Sequence, residues 1–115
     1  MKFFLDTGNI KEIEALMPLG IVDGVTTNPS LMAKEGGDPR KIIKQICELV
    51  KGPVSAEVVA LDAPGMISEG RDWAKLDEHI IVKVPFTREG VKAVKTLADD
   101  GIRVNVTLCF QAARR

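Results

Sequence analysis

A lysine lies inside an apolar, β-branched run, Ile80 to Pro85, of the kind that forms a buried strand. Burial disfavours the charged ammonium and so lowers the pKa of a lysine, and a neutral amine attacks carbonyl carbons. Lys83 is therefore a candidate for Schiff-base formation with a ketone. The alternative is an edge-strand lysine that faces water and prevents unwanted strand pairing.

Polar side chains also occur in the second half of each of the other strand-like runs. They are Asp6, Asn28 after Thr26-Thr27, Glu57, and Asn105 with Thr107. Taken singly, each has an ordinary interpretation as a cap, a turn residue or a surface group. In a parallel barrel, however, the carboxyl ends of the strands meet at one rim, where barrel active sites lie. We therefore predict one shared site with Lys83.

The residue types in this set indicate cleavage or formation of a carbon–carbon bond through an iminium ion. Carboxylates can move protons at the substrate hydroxyl that becomes an aldehyde and at the carbinolamine, and Asp6 and Glu57 are the candidates. Asparagine amides suit sugar hydroxyls, so Asn28 and Asn105 are expected to position a ketose.

Short apolar runs alternate with amphipathic ones along the chain. Strands are predicted over 2–6, 22–27, 54–59, 80–85 and 104–110, and helices over 9–17, 29–33, from 39 to before Gly52, 62–76 and 87–98. This alternation predicts an α/β fold with right-handed parallel crossovers. Because a (β/α)₈ barrel needs about 250 residues, the 115 residues are expected to form one domain, 1–115, holding about half of the eight units. An open five-stranded parallel sheet is the alternative.

Composition and charge limit the other function classes. The formal net charge is zero and the basic residues are scattered, which disfavours nucleic acid or an acidic membrane surface as a partner. Cys47 and Cys109 are far apart and are expected to be reduced core residues, and with His79 as the sole histidine no metal site is predicted. No signal peptide and no apolar run of about 20 residues is found, so a cytoplasmic location is expected.

Five segments resemble the small-subunit transaldolase family, which includes the fructose-6-phosphate aldolases. They occur in family order and spacing: Phe4-Leu5-Asp6-Thr7, Gly24-Val25-Thr26-Thr27-Asn28-Pro29-Ser30, Val54-Ser55-Ala56-Glu57-Val58, Val82-Lys83-Val84-Pro85 and Asn105-Val106-Thr107-Leu108. The resemblance covers residues 1–110. It implies a parallel barrel of class I aldolase type that works without a metal or organic cofactor.

The resemblance also implies roles. Lys83 is the Schiff-base lysine, Asp6 the proton-transfer carboxylate, and Glu57 with Thr107 the pair that holds a catalytic water. Asn28 and Asn105 bind the dihydroxyacetone unit, and Thr27 is counted with these substrate-binding residues.

The implied reaction transfers dihydroxyacetone between sugar phosphates. Sedoheptulose 7-phosphate and glyceraldehyde 3-phosphate give erythrose 4-phosphate and fructose 6-phosphate, as in the pentose phosphate pathway. Because the fructose-6-phosphate aldolases carry glutamine at the position of Glu57, the glutamate favours transaldolase over aldolase.

The chain departs from the family after its fifth strand. Family members continue with further strands, and a serine and an arginine there hold the substrate phosphate; neither has a counterpart here. A truncated, inactive fragment that acts only as an oligomerising domain is therefore an alternative. A nucleotide-binding open α/β domain is disfavoured, because no GxGxxG or GxxxxGK[ST] motif is present. Open strand edges in half a barrel predict a homo-oligomer.

Overall fold

The computed structural model describes residues 2–107 and contains one parallel sheet. Its strands are β1 (Phe3–Asp6), β2 (Val22–Thr26), β3 (Val54–Glu57), β4 (Ile80–Pro85) and β5 (Val104–Thr107). They lie in the order β1-β2-β3-β4-β5, so each strand is next to the one before it in the sequence. Right-handed crossovers in a sheet that grows in one direction put the helices on one face. The sheet curls, which confirms the prediction of a partial (β/α) barrel of class I aldolase type and not an open sheet.

The helices follow the strands as predicted, with small differences at their ends. They are α1 (Ile10–Leu16), α2 (Pro29–Glu35), α3 (Pro39–Val50), α4 (Ala63–Leu76) and α5 (Arg88–Asp99). The side chain at the N-cap accepts a backbone hydrogen bond in four of them, at Asn9, Asn28, Asp38 and Thr87. None of the helices in the described residues is long and apolar enough to cross a membrane.

The two faces of the sheet differ in burial, and β4 shows this most clearly. Ile80, Val82 and Val84 are buried against the helices, whereas the alternating residues Ile81, Lys83 and Pro85 are partly exposed. The buried face of the sheet forms the core with residues from the helices, including Ile13, Ile43, Ile46, Met66 and Leu97. The opposite, concave face is the one that can present polar side chains to a ligand.

The joint between β2 and β3 is made largely by side chains. Backbone pairing gives one pair of Cα partners, Val25 and Val54. Beyond it, the Thr27 amide donates to Ser55 Oγ at 2.9 Å, and Thr27 Oγ1 donates to the Ser55 carbonyl oxygen at 2.6 Å. Both residues are buried. These two side chains therefore replace the missing backbone rungs at the centre of the sheet.

Several boundaries differ from the sequence-based predictions. The strand predicted over 54–59 ends at Glu57, because the amides of Val59 and Ala60, which follow one last rung at Val58, bond to a side chain (below). The helix predicted over 9–17 ends at Leu16 and continues as a 3₁₀ turn, Met17–Leu19, that closes at Gly20 with φ of 68°. Of the strand predicted over 104–110, residues 108–110 lie outside the described residues. Cys47 is a free, buried cysteine as predicted, and Cys109 also lies outside.

Candidate active site

Three of the predicted site residues are direct neighbours across the concave face. Lys83 is paired with Glu57 of β3 on one side and with Asn105 of β5 on the other. Paired residues in parallel strands point to the same face, and neighbouring strands lie about 4.8 Å apart. We call Glu57, Lys83 and Asn105 the Lys83 row. It places a carboxylate and an amide on either side of one amine.

Lys83 is half-buried, so the burial expected from its apolar run is only partial. Its backbone oxygen accepts a hydrogen bond from Val58, which fixes the end of β3 to β4 beside it. Within the described residues its ammonium forms no salt bridge with a carboxylate. An amine without a bound carboxylate, on a partly open face, is accessible to a carbonyl carbon.

Thr107 and Asn28 extend the same face. Thr107 pairs with Pro85, two residues beyond Lys83, and so keeps the same side-chain parity. Val25 and Val54 are partners in neighbouring strands, and Asn28 and Glu57 each lie three residues beyond them. Asn28, whose backbone is extended, therefore lies on the same face as Glu57. The Asn28 side-chain oxygen accepts the Leu31 amide at 2.9 Å and caps α2, so its amide N–H groups are the part that can address a ligand oxygen.

Asp6 lies at the end of β1, paired with Thr26 of β2. Thr26 Oγ1 donates to Asp6 Oδ1 at 3.0 Å, which orients the otherwise exposed carboxylate. Thr26 was not among the residues predicted from the sequence, whereas its neighbour Thr27 was. Alternation alone does not choose between the two threonines; the burial of Val25 in the structure places Thr26 on the concave face.

Thr27, predicted to bind substrate, is buried with 1% of its surface exposed. Its hydroxyl is used in the bond to the Ser55 carbonyl oxygen at 2.6 Å. A contact with substrate would require that bond to break, so the position of Thr27 fits a structural role in the β2–β3 joint, and the substrate contact stays a prediction.

A cavity of about 350 Å³ adjoins one end of the Lys83 row. Its polar lining includes Asn28, Glu57 and Glu69. The rest is largely apolar and comes from α2, α3, α4 and the loop after β3, with Met32, Ile43, Val59 and Trp73 among the lining residues. The Arg40 guanidinium lies over the Trp73 ring, 5.7 Å from its centroid. Lys83 is not among the lining residues, so the cavity lies beside the Lys83 amine and not over it.

Two carboxylates that the sequence-based analysis did not select hold the loop between Glu57 and α4. The amides of Val59 and Ala60 each donate to Glu69 at 2.8 Å. The Ala63 amide donates to Glu89 at 2.9 Å. That hydrogen bond, followed by the one from Lys92, lowers the pKa of Glu89 below its ordinary value. No sequence motif marks these contacts, because each joins residues from different elements.

The chain matches the family model described as "Transaldolase/Fructose-6-phosphate aldolase" over residues 3–115. It is similar to a "Probable transaldolase" of Methanococcus maripaludis strain C5, with 59% identity over 112 residues, covering 97% of this chain and 52% of that protein. Proteins of the same description from Kosmotoga olearia and Desulforapulum autotrophicum are 59% and 57% identical over 114 residues, covering 99% of this chain and 52% and 53% of theirs. The chain therefore spans about half the length of the curated relatives it matches.

Proposed function

Because the chain belongs to the transaldolase/fructose-6-phosphate aldolase family, we propose that it carries the imine-forming part of a transaldolase site, centred on Lys83. The observation that carries this proposal is the Lys83 row, which sets Glu57 and Asn105 on either side of the amine in neighbouring strands. Because the chain spans about half the length of the curated relatives, the proposal concerns the steps that the described residues can support.

The first steps form the imine. The deprotonated amine of Lys83 attacks the C2 carbonyl carbon of a ketose phosphate and gives a carbinolamine. The C2 hydroxyl then takes a proton and leaves as water, and the nitrogen lone pair forms the iminium. Glu57 supplies that proton through a water that it holds together with Thr107. Glu57 belongs to the Lys83 row, and Thr107 lies on the same face two residues beyond Asn105.

The next steps exchange the aldehyde. A carboxylate, Asp6, removes the proton of the C4 hydroxyl, the C3–C4 bond breaks, and its electron pair passes into the iminium to give an enamine. The aldose phosphate leaves. The enamine C3 then attacks the carbonyl carbon of an acceptor aldose phosphate, whose oxygen recovers the proton from Asp6. Thr26, bonded to Asp6 at 3.0 Å, holds the carboxylate for both transfers. Water finally hydrolyses the iminium and returns the free amine.

The amides of Asn28 and Asn105 are assigned to the dihydroxyacetone unit, which remains bound while the aldoses exchange. Asn105 pairs directly with Lys83, and Asn28 approaches from the side of Glu57. The proposed donor and acceptor are sedoheptulose 7-phosphate and glyceraldehyde 3-phosphate. They yield erythrose 4-phosphate and fructose 6-phosphate, a reaction of the pentose phosphate pathway.

Fructose-6-phosphate aldolase is the second candidate, since the family description covers both activities. Glu57 favours transaldolase, because the resemblance places glutamine at this position in the fructose-6-phosphate aldolases. The two are distinguished by the acceptor. A transaldolase transfers the unit to an added aldose phosphate, whereas an aldolase releases free dihydroxyacetone.

The proposal is tested by trapping the imine. The chain is incubated with fructose 6-phosphate, and separately with dihydroxyacetone, then reduced with borohydride and digested for peptide masses. We expect a reduced adduct on the peptide that contains Lys83. Lys83→Ala should abolish it, whereas Lys75→Ala, which removes an exposed lysine of α4, should leave it unchanged.

The absence of an adduct on the folded chain, with a full-length relative reacting in parallel, would contradict the proposal. An adduct that persists in Lys83→Ala would contradict the assignment of the lysine. If the chain forms the adduct on Lys83, it is then given fructose 6-phosphate together with erythrose 4-phosphate. Consumption of erythrose 4-phosphate without release of free dihydroxyacetone indicates a transaldolase, and release of free dihydroxyacetone indicates an aldolase.

A further inference from the structure

The loop 58–62 connects Glu57, at the end of β3, to α4. Its first rung is an ordinary one, from the Val58 amide to the Lys83 carbonyl oxygen at 3.1 Å. The next two amides, those of Val59 and Ala60, have left the sheet and donate to the two different oxygens of the Glu69 carboxylate, at 2.8 Å each. Hydrogen bonds to an ionised acceptor are stronger than neutral ones, and two parallel bonds also fix the orientation of the loop.

The far end of the same loop is held by another carboxylate. Asp62 occupies the N-cap of α4 but makes no side-chain cap hydrogen bond. The free amide of Ala63 donates instead to Glu89 of α5, at 2.9 Å. A carboxylate at a helix N-terminus also interacts favourably with the helix dipole.

The start of α5 is in turn fixed to the strand that carries Lys83. A Cβ atom on Gly90 would overlap the carbonyl oxygen of Pro85, so only glycine lets the helix approach the end of β4 this closely. The Gly90 amide donates to the Thr87 hydroxyl at 3.0 Å, which completes the turn. Glu89 therefore connects the loop after Glu57 to the strand of Lys83.

We propose that Glu69 is a positioning residue that holds the carboxylate of Glu57 in place beside Lys83, with Glu89 fixing the other end of the loop. This rests on the proposed function, in which Glu57 supplies protons at the imine. Glu69 does not touch the substrate. It acts through the loop, because without it the two amides that follow the last rung of β3 lose their acceptors and the strand end is free to fray.

The position of Glu57 explains why its placement depends on Glu69. It is the last residue of β3, so nothing in the sheet beyond Val58 restrains it. Proton transfer through a held water depends on distances within a fraction of an ångström, and a displacement of about 1 Å can lower a rate about 100-fold. Glu57 and Glu69 also line the same cavity, so a shift of the loop changes the water-accessible space on that side of the carboxylate.

The test uses Glu69→Gln, which keeps the shape of the side chain but offers one acceptor oxygen to two amides. The matched control is Glu48→Gln, an exposed glutamate of α3. Amide hydrogen exchange of residues 59 and 60 should be faster in Glu69→Gln than in the unmodified chain, by roughly tenfold or more, and unchanged in Glu48→Gln. The initial rate of borohydride-trapped adduct on Lys83 should fall at least about tenfold, at an unchanged half-saturating ketose concentration.

A double-substitution cycle separates positioning from a general loss of structure. In a Glu57→Gln background, Glu69→Gln should slow trapping by less than about twofold, because the group it positions is already gone. An equal slowing in both backgrounds, or a change in half-saturation alone, would overturn the proposal.

A direct measurement keeps the proposal testable if the chain forms no imine. The order parameter of the Glu57 side chain is measured by NMR relaxation in the unmodified chain, in Glu69→Gln and in Glu48→Gln. A lower order parameter in Glu69→Gln alone supports positioning, whatever the outcome with ketose. An order parameter that is identical in all three overturns it. Absence of the adduct in the unmodified chain counts only against the proposed function.

Discussion

Replacing Ser55 with alanine tests the most distinctive joint in the sheet. Ser55 Oγ accepts a hydrogen bond from the backbone amide of Thr27, a residue with only 1% of its surface exposed. Backbone pairing between β2 and β3 gives a single pair of partners, Val25 and Val54. The substitution removes one oxygen and leaves that amide without its acceptor in the interior. It creates almost no cavity, so the cost comes from the unpaired donor.

The expected magnitude follows from that donor. An unsatisfied buried amide costs about 1–3 kcal/mol, whereas a substitution on the surface away from such features changes stability by less than about 0.5 kcal/mol. With an m-value of about 1.5 kcal/mol/M in urea, the unfolding midpoint should fall by about 0.7–2 M. Trp73, the single tryptophan, lies on α4 beside the cavity and reports the transition by fluorescence.

The matched control is Ser68→Ala, an exposed serine of α4, whose midpoint should stay close to that of the unmodified chain. Thr27→Val, which removes the other hydroxyl of the joint, should destabilise by a similar amount, and the two substitutions together should cost less than their sum. A Ser55→Ala midpoint within about 0.3 M of the unmodified chain would refute the view that these side chains hold the two halves of the sheet together.

Four further outcomes are expected. Burial raises the pKa of Cys47 to about 12, so in the native chain its thiol should resist alkylation at pH 8, and rapid labelling of its peptide would contradict the core position. The pKa of Asp77 is lowered, chiefly by the hydrogen bond from the His79 amide, so the ionised carboxylate stabilises the fold and this contribution is lost as pH falls below about 4. The unfolding midpoint of Asp77→Asn should therefore depend less on pH in that range than the midpoint of the unmodified chain. An identical acid profile of the two proteins would contradict this. Gly90→Ala should destabilise the chain by at least about 1–3 kcal/mol in urea unfolding, since its Cβ meets the Pro85 carbonyl oxygen, and a neutral effect would contradict the close approach. In the described sheet β1 and β5 are each paired on one side only, so the 115-residue chain should self-associate, and a monodisperse monomer by light scattering would refute this.

The order and type of the elements were predictable because the apolar residues follow clear periods. The run from Ile80 to Pro85 alternates buried and partly exposed residues, as a strand covered on one face should. Helix α3 begins where its sequence predicts, with Asp38 as the N-cap and Pro39 as the first helical residue. Alternation relates side chains within one strand only, and it is the register in the structure that puts Glu57, Lys83 and Asn105 on one face.

What the sequence did not predict depends on contacts between elements. Whether Thr26 or Thr27 faces the site required knowing which side the helices cover, and the partial burial of Lys83 depends on how far the sheet curls. The hydrogen bonds of Glu69 to the loop after β3 join residues about ten positions apart through a fold that no local pattern specifies. Motifs therefore predicted the acids and amides of the candidate site but not the residues that hold them.

The register of β3 has a consequence for how this site can change over evolutionary time. Glu57 lies opposite Lys83 because a three-residue connection, 51–53, joins α3 to β3. In this connection Lys51 has φ of 54°, and a side chain at Gly52 would overlap the Asp23 carbonyl oxygen. Inserting or deleting one residue there would turn Glu57 toward the helices and put an apolar neighbour beside the amine. A substitution at position 57 changes only the group beside the Lys83 amine, whereas a one-residue change of length moves every side chain of β3 to the other face. Insertions and deletions should therefore be far rarer in this connection than in the loops on the opposite rim.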